Sequence, residues 1–490
     1  MAAIERTAVR LVPLAVFARG MAYLVPIAVA GWYGAGGVAD AFFYALIVPS
    51  FVMVIVANAF AAVAVPAFAD LQATRPSDLP GAVGTSALLA TLAALAAGGV
   101  TAIAVTALLP HISVFDAAQR ERVASFLVAL LPYTALLGAS VILRAACEVR
   151  KLFFPAALSP ALRGGMAIAV IAALRGGIGP DALPIGLAIG QLAEILWYLA
   201  VLARDGLVPG FSAVHPRMRQ ALVDVGAVLA GEILVAANVL VDKGFAATLP
   251  PGSVAWLEYA DRARFIPQTL VESTLFPVAY ATWATLYTSA DRSTFAGSVD
   301  RSLRWMAAVS APSLAGLYIG RLVLVRWLYE RGAFGPDDAA RAADVLGWYL
   351  PGLWPMFLGA LAMKANVIER RMRLVFGLGV VSVVVNAGLD ALFVRALGLV
   401  GVAVASTLVW LVVPSLYLAA LWPTLKPVTS ARAWAPPIAV AAASLAIAVF
   451  VELVHGTCDS LADPWLWASA VPCLGLLGLA NHLRSAPCAS

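Results

Sequence analysis

The sequence predicts an all-α polytopic membrane protein of about fourteen transmembrane helices, with little chain left between them. Hydrophobic residues make up 62% of the chain and charged residues 12%, whereas soluble domains average about 25% charged residues. Uninterrupted apolar stretches, each roughly 20 residues long, follow one another along the chain, and this is the length that crosses a bilayer as a helix. Continuous apolar runs also exclude the alternating pattern of a membrane β-barrel. We therefore expect the function to reside within the bilayer.

The predicted spans are defined by apolar content, and their ends are approximate. In chain order they are Leu11–Tyr33, Asp40–Phe68, Val83–Leu109, Val123–Cys147, Leu152–Leu174, Leu183–Leu202, Ala221–Leu240, Phe265–Leu286, Leu303–Leu324, Ala343–Met363, Leu374–Phe393, Val400–Leu421, Trp434–Val454 and Trp465–Leu483. Prolines are expected to kink or interrupt several of them, at Pro26, Pro49, Pro155, Pro160, Pro267 and Pro277.

The distribution of basic residues predicts the orientation. Lys and Arg gather in alternate loops, which the positive-inside rule places in the cytoplasm together with both termini. These loops hold Arg150 and Lys151, Arg204 to Arg219, Arg292 to Arg304, and Arg370 to Arg373. The basic connection from Arg321 to Arg341 is the main exception, since this orientation places it outside together with Cys458.

Cysteine and histidine give no sign of a metal site at the level of sequence. The four cysteines (Cys147, Cys458, Cys473, Cys488) and four histidines (His111, His215, His455, His482) do not follow a recognised ligand spacing. The sequence also lacks a GxxxxGK[ST] phosphate loop, which argues against ATP hydrolysis by this chain. Its first apolar stretch is too long for a cleaved signal peptide and is expected to remain as a helix.

Two regions of the chain resemble each other. Gly34, Asp40 and Pro49 recur at one constant offset as Gly252, Glu258 and Pro267. The pattern predicts a parallel repeat of two pseudo-symmetric six-helix lobes, 1–208 and 218–425, followed by a C-terminal helix pair at 432–490. Chance is the alternative, because Gly and Pro are common in this chain. Parallel lobes predict a central cavity and alternating access, which favours a transporter over an enzyme.

Charges inside apolar segments mark the candidate site residues. Arg19 lies within the first span, and Asp261, Arg262 and Arg264 enter the eighth together. A charge in lipid costs at least about 2.5–3.5 kcal/mol, so these side chains are expected to face protein or a wet cavity. Guanidinium suits phosphate, and Arg19 with Arg262 would suit a diphosphate. The structural alternatives are an Arg19 ion pair with Asp40, or arginines that snorkel to the headgroups.

A second polar set is acidic. Asp242 ends the seventh span, Asn386 and Asp390 share one face of the eleventh, and Thr407 lies in the twelfth. Carboxylate, amide and hydroxyl oxygens are the ligands of a small hard cation. The alternative is an Asp242–Lys243 ion pair or an interhelical hydrogen bond. Glu194 and Glu232 are also within the membrane, as proton carriers or as structural acids, and the sequence does not decide between these roles.

Four segments together resemble the lipid II flippase family (MurJ, also called MviN) of the multidrug/oligosaccharidyl-lipid/polysaccharide exporter superfamily. GSVAWLEYADRARFIP at 252–267 and LYERGAFGPDDAARAADVLGWYLPGL at 328–353 are the more specific; GWYGAGGVADAFFYALIVP and VVVNAGLDALFVRALGLVGVAVAST at 383–407 support them. The resemblance implies transport of undecaprenyl-diphosphate-linked sugar through a cationic cavity.

The resemblance also implies site residues. Its cavity arginines match here at Arg19 and Arg262 and its loop-end acid at Asp40, and its sodium site, present in some members, at Asp242, Asn386, Asp390 and Thr407. Asp261 and Arg264 join the candidate substrate-binding set because they belong to the same charged cluster as Arg262. Two further arginine positions fall on Val25 and Met53, and an acidic-glycine element is replaced by Ala57-Asn58-Ala59. These departures raise the question of which lipid-linked glycan is carried.

Four functions remain open at the level of sequence. The first is lipid II transport, and the second is transport of another polyprenyl-linked exopolysaccharide unit. A drug or cation exporter of the same superfamily would predict an acid-dominated cavity, against which Arg19 argues. A membrane glycosyltransferase or polymerase would need a larger outer loop carrying catalytic acids.

Overall fold

The computed structural model describes residues 20–21, 23–212, 226–288 and 292–485. Within these ranges the chain is helical apart from short connections and one isolated bridge between Arg331 and Phe334. The chain forms two compact units, Met1–Ala255 and Trp256–Ser490. The all-helical architecture predicted from the apolar runs is therefore confirmed for the described residues.

Among the residues that the structure describes, ten α-helices belong to the first unit. They are α1 (Leu24–Tyr33), α2 (Gly37–Ala45), α3 (Ile47–Val52), α4 (Asn58–Thr74), α5 (Leu79–Ile112), α6 (Ala117–Ala129), α7 (Leu131–Val149), α8 (Phe153–Ile178), α9 (Ala182–Arg204) and α10 (Gly226–Ala246), with a π-helical turn (Met53–Ala57) between α3 and α4.

Local chemistry explains where several of these helices begin and end. α1 ends at Gly34, whose φ of 63° is costly for other residues. Asp116 begins α6 with a capping box, in which its carboxylate accepts the Gln119 amide. A break at Leu130 separates α6 from α7, because Pro132 in the first turn of α7 has no amide hydrogen to continue the preceding helix. Pro160, in contrast, lies within an uninterrupted α8.

Close approach of small residues holds the first unit together. α5 packs against α7, and α8 packs against α9. A Cβ at Gly138 would lie 2.2 Å from the Ala90 carbonyl oxygen, so the α5–α7 crossing requires glycine at this position. Such contacts let backbones approach where the hydrophobic effect does not drive association in lipid.

The remaining eight described helices belong to the second unit. They are α11 (Ser253–Thr288, whose first three residues belong to the first unit), α12 (Arg292–Ile319), α13 (Arg321–Tyr329), α14 (Pro336–Ile368), α15 (Met372–Leu397), α16 (Leu399–Leu425), α17 (Ala431–Val454) and α18 (Pro464–Ser485). α14 packs along α16, and α12 contacts both α17 and α18. Gly320 separates α12 from α13, which are bent by 66°.

The outer faces of these helices are suited to lipid. Eight helical segments of the described chain are long and apolar enough to cross a membrane, or nine if the bent pair α12–α13 is one span. Large apolar side chains on α5 are exposed, including Val100 at 70% and Ile103 at 72%. A water-soluble protein rarely exposes so continuous an apolar surface. The number of fourteen spans stays a prediction.

The predicted spans correspond to helices with different internal breaks. Asp40–Phe68 is divided among α2, α3, the π-helical turn and α4, and Val123–Cys147 is divided at Leu130. The helix predicted from Phe265 begins earlier, at Ser253, so the charged residues that precede the apolar run are helical too. α10 packs with the first unit, although the predicted repeat assigns it to the second lobe. The lobe boundaries stay a prediction, because packing does not measure sequence repetition.

Candidate functional site

Asp40 caps the first turn of α11. Its Oδ2 accepts the Gly252 amide at 2.5 Å and its Oδ1 accepts the Ala255 amide at 2.8 Å, all within the first unit. The carboxylate is 1% exposed. A negative charge at a helix N-terminus satisfies unpaired amides and complements the helix dipole. Asp40 therefore fixes where α11 begins, ahead of its charged cluster.

Arg262 lies on α11, one turn after Glu258. Its Nε donates to Glu258 Oε1 at 2.7 Å, and the Glu258 side chain is 4% exposed, whereas that of Arg262 is 37% exposed. The buried carboxylate orients the guanidinium from one edge. This geometry leaves the outer part of a planar cation accessible for an anionic group.

Arg264 has a different environment, although it is only two residues away. It pairs with Asp261, and its Nη1 donates to Gln268 at 2.9 Å. Its guanidinium carbon also lies 4.7 Å from the ring centroid of Phe265, 4.7 Å from that of Trp410 and 5.1 Å from that of Tyr349. The residue is 9% exposed. Arg264 is thus a buried arginine enclosed by ring faces, not a side chain that snorkels.

Part of the predicted cation set lies together on α15. Asn386 Nδ2 donates to Asp390 Oδ2 at 3.3 Å, and both residues are buried. Thr407 lies on the adjoining α16, where its hydroxyl donates to the Trp348 carbonyl at 2.6 Å. Asp242 belongs to the first unit, near the end of α10. Its neighbour Lys243 is buried and donates to the Phe43 carbonyl at 3.2 Å.

A buried polar cluster in the first unit includes an arginine that sequence analysis missed. Glu194 Oε2 accepts Ser140 Oγ at 3.1 Å, Arg163 Nη1 at 3.2 Å and Gln191 Nε2 at 2.7 Å. The Glu194 side chain is 3% exposed. This hydrogen bonding favours the structural reading of Glu194. The sequence could have identified this arginine, because Arg163 is a charge within an apolar span and such a charge requires a partner.

Arg321 and Glu452 form a second ion pair that the sequence did not indicate. The two Nη atoms of Arg321 donate to the two carboxylate oxygens of Glu452, at 2.9 and 2.8 Å. The Arg321 side chain is 5% exposed. This bidentate pair ties α13 to the end of α17.

The structure brings together three potential metal ligands that cysteine and histidine spacing did not indicate. His455, Cys458 and Asp463, in the α17–α18 connection, bring one potential ligand atom each to within 4.8 Å of one another. Their spacing resembles no common motif, which is why sequence analysis missed them. Burial raises the pKa of the Cys458 thiol to about 11. The hydrogen bond from His455 is the main cause that lowers the pKa of Asp463.

Some predicted positions cannot be placed. Arg19 lies outside the described residues, as do the side chains of Ala57-Asn58-Ala59 and Glu232. Val25 and Met53 stand at the two positions where the family that the chain resembles has arginines. Val25 is half-buried in α1, and Met53 is 45% exposed in the π-helical turn.

Comparison with known proteins identifies relatives along nearly the whole chain. The family model for the lipid II flippase MurJ matches residues 29–473. A probable lipid II flippase MurJ of Vibrio cholerae is 27% identical over 406 residues, which are 78% of this chain and 76% of the relative. A lipid II flippase MurJ of Burkholderia cenocepacia is 23% identical, covering 66% of this chain and 65% of the relative.

Solved structures support the fold. A lipid II flippase MurJ in an inward closed conformation aligns with a TM-score of 0.78 at 19% identity, over 97% of this chain and 98% of that one. An inward-facing multidrug resistance transporter of the MATE family, in the MOP superfamily, aligns with a TM-score of 0.64 at 14% identity, over 83% of this chain and 100% of that one. Both similarities concern the fold alone.

Proposed function

Because this chain belongs to the MurJ family of lipid II flippases, we propose that it moves lipid II, the undecaprenyl-diphosphate-linked peptidoglycan precursor, across the bacterial cytoplasmic membrane. The family match along residues 29–473 is the observation that carries this proposal. The chain is a multi-pass inner-membrane transporter rather than an enzyme. Transport would proceed by alternating access of a cationic cavity, while the lipid tail stays in the bilayer.

Arg262 is the described residue best suited to hold the diphosphate. Glu258 holds its Nε edge, and more than a third of the side chain remains exposed. A guanidinium fixed in orientation loses less entropy when it forms two parallel hydrogen bonds to an anion. We assign the same chemistry to Arg19, which the resemblance implies.

Asp40, Asp261 and Arg264 have a positioning role in this proposal. A carboxylate would repel the diphosphate, and Asp40 already accepts two amides at the start of α11. Asp261 pairs with Arg264, which ring faces enclose. These residues would fix the helix on which Arg262 is carried.

A flipping assay in liposomes tests whether Arg262 binds the diphosphate. With purified protein and labelled lipid II, Arg262→Ala is expected to abolish translocation, and Arg262→Lys to retain part of it if charge outweighs the two-pronged geometry. Arg373→Ala is the matched control, because Arg373 is an exposed arginine at the start of α15. Translocation by Arg262→Ala at the wild-type rate, with equal membrane insertion, would show that Arg262 does not bind the diphosphate.

The identity of the glycan needs a separate test, because Val25 and Met53 replace two arginines of the resembling family. Fewer fixed charges give a weaker attraction for the diphosphate. Another polyprenyl-linked glycan is therefore the second candidate. Growth of a strain depleted of its own lipid II flippase would support lipid II. Lysis despite good membrane expression, with loss of exopolysaccharide when the native copy is deleted, would favour the alternative.

The sodium site is a further part of the proposal. Asn386, Asp390 and Thr407, the part of the predicted set that lies in the second unit, would bind Na⁺ and bias one face of the cycle through the differential affinity of the ion for the two states. Transport is expected to depend on Na⁺ and to weaken in Asp390→Asn. Sodium-independent transport that Asp390→Asn leaves unchanged would reduce these residues to packing.

The orientation is tested by accessibility of introduced cysteines. Cys458 is buried, so it is a poor reporter despite its predicted outside location. Ser460→Cys, at an exposed position of the same connection, is expected to react with an impermeant thiol reagent applied from outside. Lys151→Cys, between α7 and α8, is expected to stay protected; the reverse pattern would invert the topology.

A further inference from the structure

The connection between α17 and α18 brings together three side chains of different ligand chemistry. The imidazole of His455, the thiol of Cys458 and the carboxylate of Asp463 offer ligand atoms within 4.8 Å of one another. His455 Nε2 and Asp463 Oδ2 are already 2.8 Å apart. Cys458 is 0% exposed and Asp463 8%, whereas His455 is exposed and gives access from the surface.

Neighbouring contacts fix the orientation of His455 and Asp463. The ring of His455 stacks on Trp465 at 5.7 Å with an interplanar angle of 18°. Asp463 Oδ1 accepts the Trp465 amide at 2.9 Å, which leaves Oδ2 directed at the histidine. The positive φ of Gly456, 83°, makes the turn that folds the connection back after His455.

Two contacts from outside the cluster hold the connection in place. Arg326 of α13 donates to the Asp459 carbonyl at 2.5 Å, and the Trp467 indole donates to the Leu461 carbonyl at 2.7 Å. A site whose ligands are already ordered loses less entropy when it binds an ion. This order distinguishes the cluster from a chance grouping on a mobile loop.

The ligand set matches a borderline-soft divalent cation. Imidazole, thiolate and carboxylate are the three ligand types of zinc, and three protein ligands leave a fourth position for water. Tetrahedral zinc places its ligand atoms roughly 3.3–3.6 Å apart. The histidine and carboxylate would therefore separate by roughly half an ångström on binding, within the freedom of their side-chain torsions. Thiolate and carboxylate would together balance the charge of the ion.

We propose that His455, Cys458 and Asp463 form a zinc-binding site that joins the end of α17 to the start of α18. The ion would replace the His455–Asp463 hydrogen bond as the link across the connection. Since a ligand that binds the folded state stabilises it, zinc would hold the C-terminal helix pair in its folded arrangement. This role is separate from glycan transport, and its test does not depend on the proposed function.

The competing explanation is a metal-free hydrogen-bonded cap. In that case His455 donates to Asp463, Asp463 caps α18, and Cys458 fills space in the apolar cluster that includes Cys473. Both explanations predict that the three residues matter for stability. They differ in whether zinc binds, and in whether thiolate contacts the metal.

Direct metal binding to the full-length, detergent-purified protein separates the two. After metal removal, titration with Zn²⁺ against a chromophoric chelator is expected to show one tight site per chain and a rise in the thermal unfolding midpoint. Mg²⁺ and Ca²⁺ are expected to cause no such rise, because they prefer oxygen ligands. Co²⁺ is expected to give a thiolate-to-metal charge-transfer band, which a metal-free cap cannot produce.

Conservative variants keep the fold while removing single ligands. Cys458→Ser keeps the shape, His455→Gln keeps a donor towards Asp463, and Asp463→Asn keeps the acceptor for the Trp465 amide. Each is expected to weaken zinc binding at least about 100-fold. Removing a residue that only hydrogen-bonds to a metal ligand already costs up to about 100-fold in affinity, and removing a ligand should cost no less. Cys473→Ser, at a neighbouring buried cysteine, and His111→Gln, at an exposed histidine, are expected to bind like wild type. Absence of tight zinc binding to the wild type, or equal loss in Cys473→Ser, would overturn the site.

Discussion

Each compact unit contains an arginine–carboxylate pair within its apolar helices, and the two pairs divide burial in opposite ways. In the first unit the acid is the deeper partner: the side chain of Glu194 is 3% exposed and that of Arg163 is 25% exposed. In the second unit the base is deeper, with Arg264 at 11% and Asp261 at 24%. Glu194 is satisfied by polar donors from α7, α8 and α9, whereas Arg264 is enclosed largely by aromatic rings.

The difference shows which partner each site cannot lose. A buried carboxylate has acceptor oxygens alone, so its stability depends on the donors around it. A guanidinium is weakly hydrated and stacks on ring faces, so it tolerates burial with fewer charged partners. Removing the arginine is therefore expected to harm the first unit more than removing the acid harms the second.

The largest expected effect is that of Arg163→Met. The change leaves Glu194 buried with two neutral donors, and breaking a buried ion pair in this way costs about 3 kcal/mol. A lower midpoint of thermal unfolding in detergent is the measurement. Arg175→Met on the same helix is the control, because Arg175 is exposed and stacks on Trp32 at 4.6 Å. Adding Glu194→Gln to Arg163→Met should recover part of the loss, and no recovery would show that the pair is not the cause.

The second-largest expected effect is at the crossing of α8 and α9, the two helices that carry Arg163 and Glu194. A Cβ at Gly190 of α9 would lie 2.6 Å from the Arg163 carbonyl oxygen, a backbone atom that cannot rotate away. Gly190→Ala is therefore expected to push α9 from α8 and cost about 2 kcal/mol. Gly176→Ala on α8 meets no atom within 4 Å and is expected to be neutral.

The crossing of α14 and α16 in the second unit is expected to tolerate an added methyl group better than the crossing of α8 and α9. A Cβ at Gly352 would meet Thr407 Oγ1 at 2.8 Å, Thr407 Cα at 2.9 Å and Trp410 Cε3 at 2.9 Å. Two of these three atoms belong to side chains, so Gly352→Ala is expected to destabilise less than Gly190→Ala. An equal or larger loss at Gly352 would contradict the view that the first crossing is the tighter one.

Features of the fold that depend on neighbouring residues could be predicted from the sequence, whereas features that depend on residues distant in the chain could not. Helices were predictable, because an apolar run of bilayer length must satisfy its own backbone hydrogen bonds. The break at Leu130 had a local signal in Pro132, but the bend at Gly320 had only a glycine among many. Helix starts were predicted less well: α11 begins at Ser253 because Asp40, distant in sequence, caps it.

The candidate site residues show the same limit. A charge in an apolar span identified Arg262, Arg264 and Glu194 as constrained, because lipid offers no partner. The partner of Arg262, Glu258, lies one turn away on the same helix and could be predicted from spacing. The partners on other helices could not: Arg163 for Glu194, and Tyr349 and Trp410 for Arg264. Periodicity within one helix carries no information about which neighbour it meets.

Asp261→Asn is expected to have a smaller effect than Arg163→Met. The change removes the negative charge beside Arg264 but keeps an amide of nearly equal shape, with Gln268 and three rings still in contact. Because Asp261 is partly exposed and its charge partly screened, the cost should be about 1 kcal/mol. Thermal unfolding of the two variants side by side measures the difference. A loss as large as that of Arg163→Met would show that the rings do not substitute for charge.

The smallest expected effect is that of Phe265→Leu, which removes one of the three ring faces around Arg264. The guanidinium carbon lies 4.7 Å from the Phe265 centroid, and leucine keeps apolar bulk without a π face. Trp410 and Tyr349 remain in contact, so the lost cation–π energy should be about 0.5 kcal/mol. A double-mutant cycle with Arg264→Met isolates this term from the loss of packing. A coupling energy near zero would mean that Phe265 acts on Arg264 through packing alone, and would contradict the view that its ring face stabilises the buried guanidinium.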